Sequence, residues 1–158
     1  MYVPPSGYGG DANLTKVVVH EAFHNLQTTL LGGTIEPTDG PVWLIEGSAE
    51  YIAYQTIATY GLDSLENIRR SRIERVKTTS APLRSLETYA GFTPQNSPYP
   101  LSALAGERLA AANGGETVFI AYFEAVAQGA AWSEAFRTVF GRTVDTFYAE
   151  FEAYRSGL

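Results

Sequence analysis

Apolar residues recur at helical spacing along most of the chain, and glycine or proline separates the segments in which they do. This pattern predicts helices over about 13–31, 41–61, 63–78, 100–112, 116–127, 133–140 and 144–155. In the first predicted helix the β-branched triplet Val17, Val18 and Val19 favours a strand locally. The prediction of a helix there therefore rests partly on the residues that follow the triplet. Residues 80–100 are rich in proline and serine and predict a long loop with one helical turn.

Residues of known positional preference mark the ends of these helices. Gly32 and Gly33 end the first helix, and Pro41 lies near the first turn of the second. Gly61 ends the second helix, and Asp63 is predicted to cap the third. We therefore predict a mainly α fold with little or no β-sheet.

Length and composition predict a single domain. The 158 residues are 45% hydrophobic and 13% aromatic, which is enough material for one core over residues 1–158. Residues 1–12 are predicted as an irregular lead-in. The chain has no cysteine, so disulfides and thiolate zinc sites are excluded, and the redox compartment stays open.

Charge and hydropathy exclude two classes of partner. The net charge of −6 argues against nucleic acid, which usually binds a basic face. No run of about 18 apolar residues predicts a membrane span, and no signal peptide is recognisable, so we expect a soluble chain. Its location stays undetermined, and an extracellular or periplasmic one is compatible with an excised domain.

One segment of the chain concentrates basic residues. It interleaves apolar residues with positive charges at helical spacing, and the basic members are Arg69, Arg70, Arg72, Arg75 and Lys77. We interpret the charges as the solvated side of an amphipathic helix, in preference to an anion site.

The segment VVVHEAFHNLQ, residues 17–27, contains both histidines of the chain. His20 and His24 are four apart, so on a helix they share a face and can bind one metal ion. Glu21 lies at the flank of that pair and can approach a metal-bound water. This is the physical content of the motif His-Glu-x-x-His, and chance rarely produces it.

A catalytic zinc site needs a third protein ligand, and the second predicted helix supplies carboxylates. With no further histidine and no cysteine in the chain, the candidates are Glu46 and Glu50, which are four apart. Carboxylates on an otherwise apolar helix are expected to be paired or metal-bound. One can bind zinc while the other accepts the free ring N–H of a ligand histidine. The small residues Gly47, Ala49 and Ala53 would let this helix lie close to the first.

HEAFH followed by WLIEGSAEY resembles the gluzincin metallopeptidases, specifically the peptidase MA-like group, whose relatives include the M1 aminopeptidase and thermolysin-like catalytic domains. The resemblance implies a zincin-like catalytic domain, in which the HExxH helix packs on a second, ligand-bearing helix and the C-terminal part is helical. It also implies that His20, His24 and Glu46 bind one zinc ion. Glu50, one helical turn further on, would steady His20.

The segment YPLSALAGERL is similar to the Y-x-x-G helix of M1 enzymes, whose tyrosine stabilises the oxyanion. The resemblance therefore gives Tyr99 that role, with a packing aromatic as the alternative. The implied function is hydrolysis of peptide bonds in a peptide or protein substrate, through a zinc-bound water with Glu21 as general base.

Two features of the families are missing. The 19 residues before His20 are too few for the substrate-binding sheet that precedes this motif, so we expect either part of a longer protein or a minimal gluzincin. The glycine-rich exopeptidase segment of M1 enzymes is also absent. An alternative function is a zinc-binding interaction domain with little or no turnover. A helical bundle without metal is a third, but it would bury histidines and carboxylates unpaired.

Overall fold

The computed structural model describes residues 10–36 and 38–158, and within them all regular structure is helical. The α-helices in chain order are α1 (Gly10–Leu30), α2 (Val42–Thr59), α3 (Leu65–Lys77), α4 (Pro98–Ala112), α5 (Thr117–Ala127), α6 (Trp132–Phe140) and α7 (Val144–Ser156). Three short 3-10 turns, at Leu83–Leu86, Tyr89–Gly91 and Pro94–Asn96, connect α3 to α4. The predicted mainly α fold is confirmed.

None of the helices in these residues combines the length and the apolar character that crossing a membrane requires. The chain therefore offers no membrane-spanning helix within the part that the structure describes.

Helix α1 begins earlier than the pattern predicts. Residues 10–12 belong to the helix and not to an irregular lead-in, while the rest of the predicted lead-in, residues 1–9, lies outside the described residues. The valine triplet is helical, and the side chains of Val17 and Val18 are exposed. Their β-propensity is overridden because α1 packs along α2.

The predicted cap of α3 is wrong by one residue. Ser64 is the N-cap, with an extended backbone and a hydroxyl that accepts the N–H of Asn67 at 3.1 Å. Asp63 instead accepts the N–H of Ser64 at 2.7 Å. A serine three residues before the free N–H has the reach that N-capping requires, and Asp63 supports it from outside.

Helix α2 lies at the centre of the fold, with α1 on one side and α4 on another. A Cβ atom on Gly47 would lie 2.3 Å from the carbonyl oxygen of Ser102, and a Cβ on Gly106 would lie 2.8 Å from the carbonyl oxygen of Gly47. These glycines therefore allow α2 and α4 to touch along their backbones. The prediction that Gly47 serves the contact with α1 is wrong, since this glycine faces α4.

The first turn of α2 is anchored in an aromatic core. Trp43 stacks on Phe147 with 5.5 Å between ring centroids, and its indole N–H donates to the Tyr148 hydroxyl at 2.8 Å. That hydroxyl donates to Glu87 at 2.8 Å. Fully buried phenylalanines from α5, α6 and α7 complete the core, namely Phe119, Phe123, Phe136, Phe140 and Phe151. This packing holds α2 in place one turn before Glu46.

The basic helix α3 departs from its prediction at one position. Arg72 is buried, with its guanidinium carbon 5.5 Å from the centroid of the Tyr54 ring and an ion pair to Glu107 of α4. The helical period places it between Ile68 and Val76 on the inward face. The other four basic residues are exposed, as predicted: Arg69, Arg70, Arg75 and Lys77.

Candidate metal centre

Three donor atoms from α1 and α2 converge on one point. Nε2 of His20 lies 2.9 Å from Nε2 of His24, and Oε2 of Glu46 lies 3.3 Å and 3.4 Å from these two nitrogens. Tetrahedral zinc with bonds of about 2.0–2.1 Å separates its ligand atoms by about 3.3 Å. The three residues could therefore hold a metal ion, and their spacing is compatible with the distances that a tetrahedral ion requires.

The charges of the cluster stabilise each other. Burial alone would lower the pKa of His20, but the adjacent carboxylates of Glu46 and Glu50 outweigh it and raise that pKa to about 9. Burial would raise the pKa of Glu46, yet the hydrogen bonds and charges of His20 and His24 lower it to about 2. The pKa of His24 is raised against the effect of burial, by Glu46 and Gln27. The carboxylate of Glu46 is thus ionised over the neutral pH range, as a metal ligand must be.

Glu50 lies on the other side of the His20 ring. Its Oε1 is 3.3 Å from Nδ1 of His20 and 2.8 Å from Nζ of Lys16. The contact with Nδ1 is at ion-pair distance but is not a well-aligned hydrogen bond. Burial would raise the pKa of Glu50, and His20 and Lys16 together lower it. Lys16, one turn before His20, was not expected from the sequence to take part in the site.

Gln27 contacts the second histidine and was not singled out from the sequence. Its fully buried side chain places Oε1 2.6 Å from Nδ1 of His24 and donates from Nε2 to the carbonyl of Ile45 and the hydroxyl of Ser48, both at 3.0 Å. An amide oxygen only accepts, so Nδ1 of His24 carries a proton. In the neutral ring this leaves the lone pair on Nε2, the nitrogen that faces the cluster. Its position could have indicated this role, because Gln27 is a polar residue seven positions after His20 and therefore lies on the same face of the helix.

Glu21 occupies a different environment from Glu46 and Glu50. It is exposed and lines a cleft of about 320 Å³ together with His20, Glu50 and Tyr99. The ion pairs of the cluster are made by Glu46 and Glu50 and do not include Glu21. The carboxylate of Glu21 is therefore accessible to solvent, in a cleft that it shares with His20 of the cluster.

Two tyrosines approach the cluster, Tyr89 from the segment before α4 and Tyr99 from α4 itself. Tyr99 lies in the first turn of α4, with 6.2 Å between its ring centroid and that of His20. The hydroxyl of Tyr89 lies 3.5 Å from Oε1 of Glu46, and Phe92 contacts both tyrosine rings. Burial and nearby carboxylates raise the pKa of both phenols, so both stay protonated donors. No pattern in the predicted loop distinguished Tyr89.

Comparison of the chain with models of protein families, with curated proteins and with solved structures finds no match.

Proposed function

We propose that this chain is a zinc-dependent metallopeptidase that hydrolyses peptide bonds, with His20, His24 and Glu46 as ligands of one zinc ion and Glu21 as general base. The observation that carries the proposal is the convergence of three donor atoms within 3.4 Å of one another. Beside them, at the wall of a cleft, stands a glutamate that the cluster itself does not use.

The chemistry divides between the ion and the residues of the chain. A bound zinc ion supplies a Lewis acid and lowers the pKa of a water molecule toward about 7. Glu21 accepts the proton of the attacking water and returns it to the leaving amine. The Tyr99 hydroxyl, in the same cleft, donates a hydrogen bond to the oxygen of the scissile carbonyl as negative charge develops there.

Two further residues orient the ligand histidines. The Oε1 of Gln27 accepts a hydrogen bond from the Nδ1–H of His24, and the amide is itself held by α2, so it fixes the ring relative to Glu46. Glu50 faces Nδ1 of His20 and is fixed in turn by Lys16. Partners of this kind set the tautomer and the angle of each ring, and losing one usually weakens metal binding about 10–100-fold.

A zinc-bearing interaction domain with little turnover is the second candidate. It is favoured by the exposed apolar side chains of α1, which are Val17, Val18 and Leu26. A purely structural zinc site, however, has no use for an exposed glutamate beside the ligands. Metal content and turnover separate the two candidates.

The first experiment measures metal content. The chain purified without chelator should carry about one zinc per molecule by elemental analysis, and His20→Ala, His24→Ala and Glu46→Ala should each lose it. Asn25→Ala, at an exposed position of the same helix, is the matched control and should keep it. Full zinc content in all three ligand variants would overturn the proposed site.

The second experiment separates chemistry from metal binding. Glu21→Gln keeps the size of the side chain and removes its basicity. It should keep zinc and the folded structure, while cleavage of a peptide library falls by about 100-fold or more. Wild-type protein that holds zinc but cleaves no peptide would favour the interaction domain instead.

A further inference from the structure

A second cleft, of about 240 Å³, adjoins the one that contains Glu21. The two share four lining residues, which are Lys16, Tyr54, Arg75 and Pro100. Because these residues belong to both, the clefts form one groove that leads from the metal centre toward α3. A substrate bound at Glu21 and Tyr99 therefore has a path along the groove to the second cleft.

Positive charge collects around Tyr54 in this second cleft. Nζ of Lys16 lies 5.3 Å from the centroid of the Tyr54 ring, and the guanidinium carbon of Arg72 lies 5.5 Å from it on the same measure. Arg75 lines both clefts. Its charge and that of Arg72 act to lower the pKa of the Tyr54 phenol, against the stronger effects of burial and of the Glu50 carboxylate. In a chain of net charge −6, this is a local concentration of cations from two helices.

Only part of this charge is neutralised within the described residues. Lys16 pairs with Glu50 at 2.8 Å, and Arg72 pairs with Glu107. The acidic residue that lines the second cleft, Asp63, already accepts hydrogen bonds from two groups at the start of α3. Arg75 is exposed and belongs to none of the ion pairs found among these residues. Its guanidinium is therefore available to a ligand.

We propose that the second cleft binds a carboxylate of the substrate, with Arg75 as the main contact and Lys16 adding to the attraction. The inference rests on the proposed peptidase function and specifies its substrates as peptides that carry a carboxylate close to the scissile bond. The carboxylate belongs either to an acidic side chain or to the C-terminus. A guanidinium presents paired N–H donors that match both oxygens of such a group.

The basic residues of α3 thus serve different purposes. Arg70, whose side chain bonds only to Asn67 on its own helix, lies on a separate surface groove and acts as a solvated residue. Arg75, five positions further on, lies in the groove that leads from the metal centre. Arg70 is consequently a matched control for Arg75, since both are exposed arginines of one helix.

The test measures binding without turnover, using the Glu21→Gln protein purified without chelator and calorimetry with three peptides of equal length. One peptide carries glutamate and an amidated C-terminus, the second replaces glutamate by glutamine, and the third has glutamine and a free C-terminus. We expect one of the two carboxylate peptides to bind about tenfold tighter than the neutral one. Which one does so identifies the source of the carboxylate.

The same measurement on two double variants assigns the effect. Adding Arg75→Gln should abolish the tenfold preference, whereas adding Arg70→Gln should leave it. Equal binding of all three peptides, or equal losses in the two double variants, would overturn the carboxylate site.

Cleavage by the wild-type protein is a separate readout for the proposed peptidase. Cleavage without any preference for carboxylate peptides overturns the subsite and leaves the peptidase proposal standing. Selective binding that depends on Arg75, without cleavage, supports the subsite and overturns the peptidase.

Discussion

Two regions that meet on helix α2 use burial in opposite ways. Around Trp43 the buried side chains are aromatic rings, and the polar tip of the indole is satisfied by Tyr148. One turn later, around Glu46, the buried side chains are ionisable, and each depends on a specific partner. Burial of rings stabilises the fold through area removed from water, whereas burial of charges is costly unless every partner is present.

The difference predicts how each region responds to mutation. Loss of a ring in the aromatic core should lower the free energy of unfolding, while the proposed metal site of the folded protein should keep its affinity for zinc. Loss of a polar group at the cluster should change metal affinity or turnover more than stability. The variants below test this division.

The largest expected effect is on stability. Phe136 is fully buried and contacts both Trp43 and Phe140, so Phe136→Ala should lower the free energy of unfolding by about 3–5 kcal/mol. Urea denaturation measures this change, and elemental analysis of the folded fraction should still give about one zinc per molecule. Tyr60→Ala, at an exposed position, should change stability by less than about 0.5 kcal/mol. A loss of zinc from folded Phe136→Ala protein would contradict the division.

The next largest effect is on turnover, and it is tested by comparing variants of Tyr99 and Tyr89. Tyr99→Phe removes the proposed oxyanion donor and should lower kcat by roughly 100–1,000-fold, with zinc content unchanged. Tyr89→Phe removes a hydroxyl that faces the proposed ligand Glu46 and should change kcat far less. Steady-state kinetics on one cleaved peptide measures both. If Tyr89→Phe has the larger effect, the role belongs to Tyr89.

Zinc affinity distinguishes the two glutamates of α2, because a smaller loss is expected at Glu50 than at Glu46. Glu46→Ala should lose zinc almost wholly, since it removes a donor atom of the cluster. Glu50→Ala removes only the carboxylate that faces Nδ1 of His20, so zinc affinity should fall about 10–100-fold. Competition with a fluorescent chelator measures both affinities. Collapse of zinc binding in Glu50→Ala, with survival in Glu46→Ala, would reverse the assignment.

The smallest effect concerns Gln27. Gln27→Leu removes the acceptor for His24 and should weaken zinc binding about tenfold. Gln27→Glu restores an acceptor oxygen at the same place but loses the N–H bonds to Ile45 and Ser48. It should therefore keep zinc affinity near that of the wild type while losing stability. Equal zinc affinities for wild type and Gln27→Leu would show that Gln27 serves only packing.

The helical content was predictable because it depends on short-range pattern. The predicted helix ends lie within about three residues of the observed ones, since glycine, proline and the helical period act locally. The shift of the cap from Asp63 to Ser64 shows the limit of such signals, because adjacent capping residues compete and their geometry decides. The valine triplet shows another limit, since packing overrides local propensity.

In the candidate site, too, some features follow from short-range pattern and others from tertiary packing. The sequence by itself determined that His20 and His24 share a face of one helix and that Glu46 and Glu50 share a face of another, because the helical period does so wherever helices form. Their approach across the 21 intervening residues required the fold, although the paired motifs indicated it through a family resemblance.

Only the tertiary structure decided which residues support the site. Gln27 donates a hydrogen bond to Ser48, 21 positions further along the chain, and Arg72 pairs with Glu107, 35 positions further along. The backbone contact of Gly47 with α4 and the place of Arg75 in the groove also depend on how separate helices pack. A single sequence encodes such pairs through shape and charge at positions far apart in the chain. A helical period relates only residues that are close in sequence, so it does not predict these pairs. They form only when the separate helices pack together.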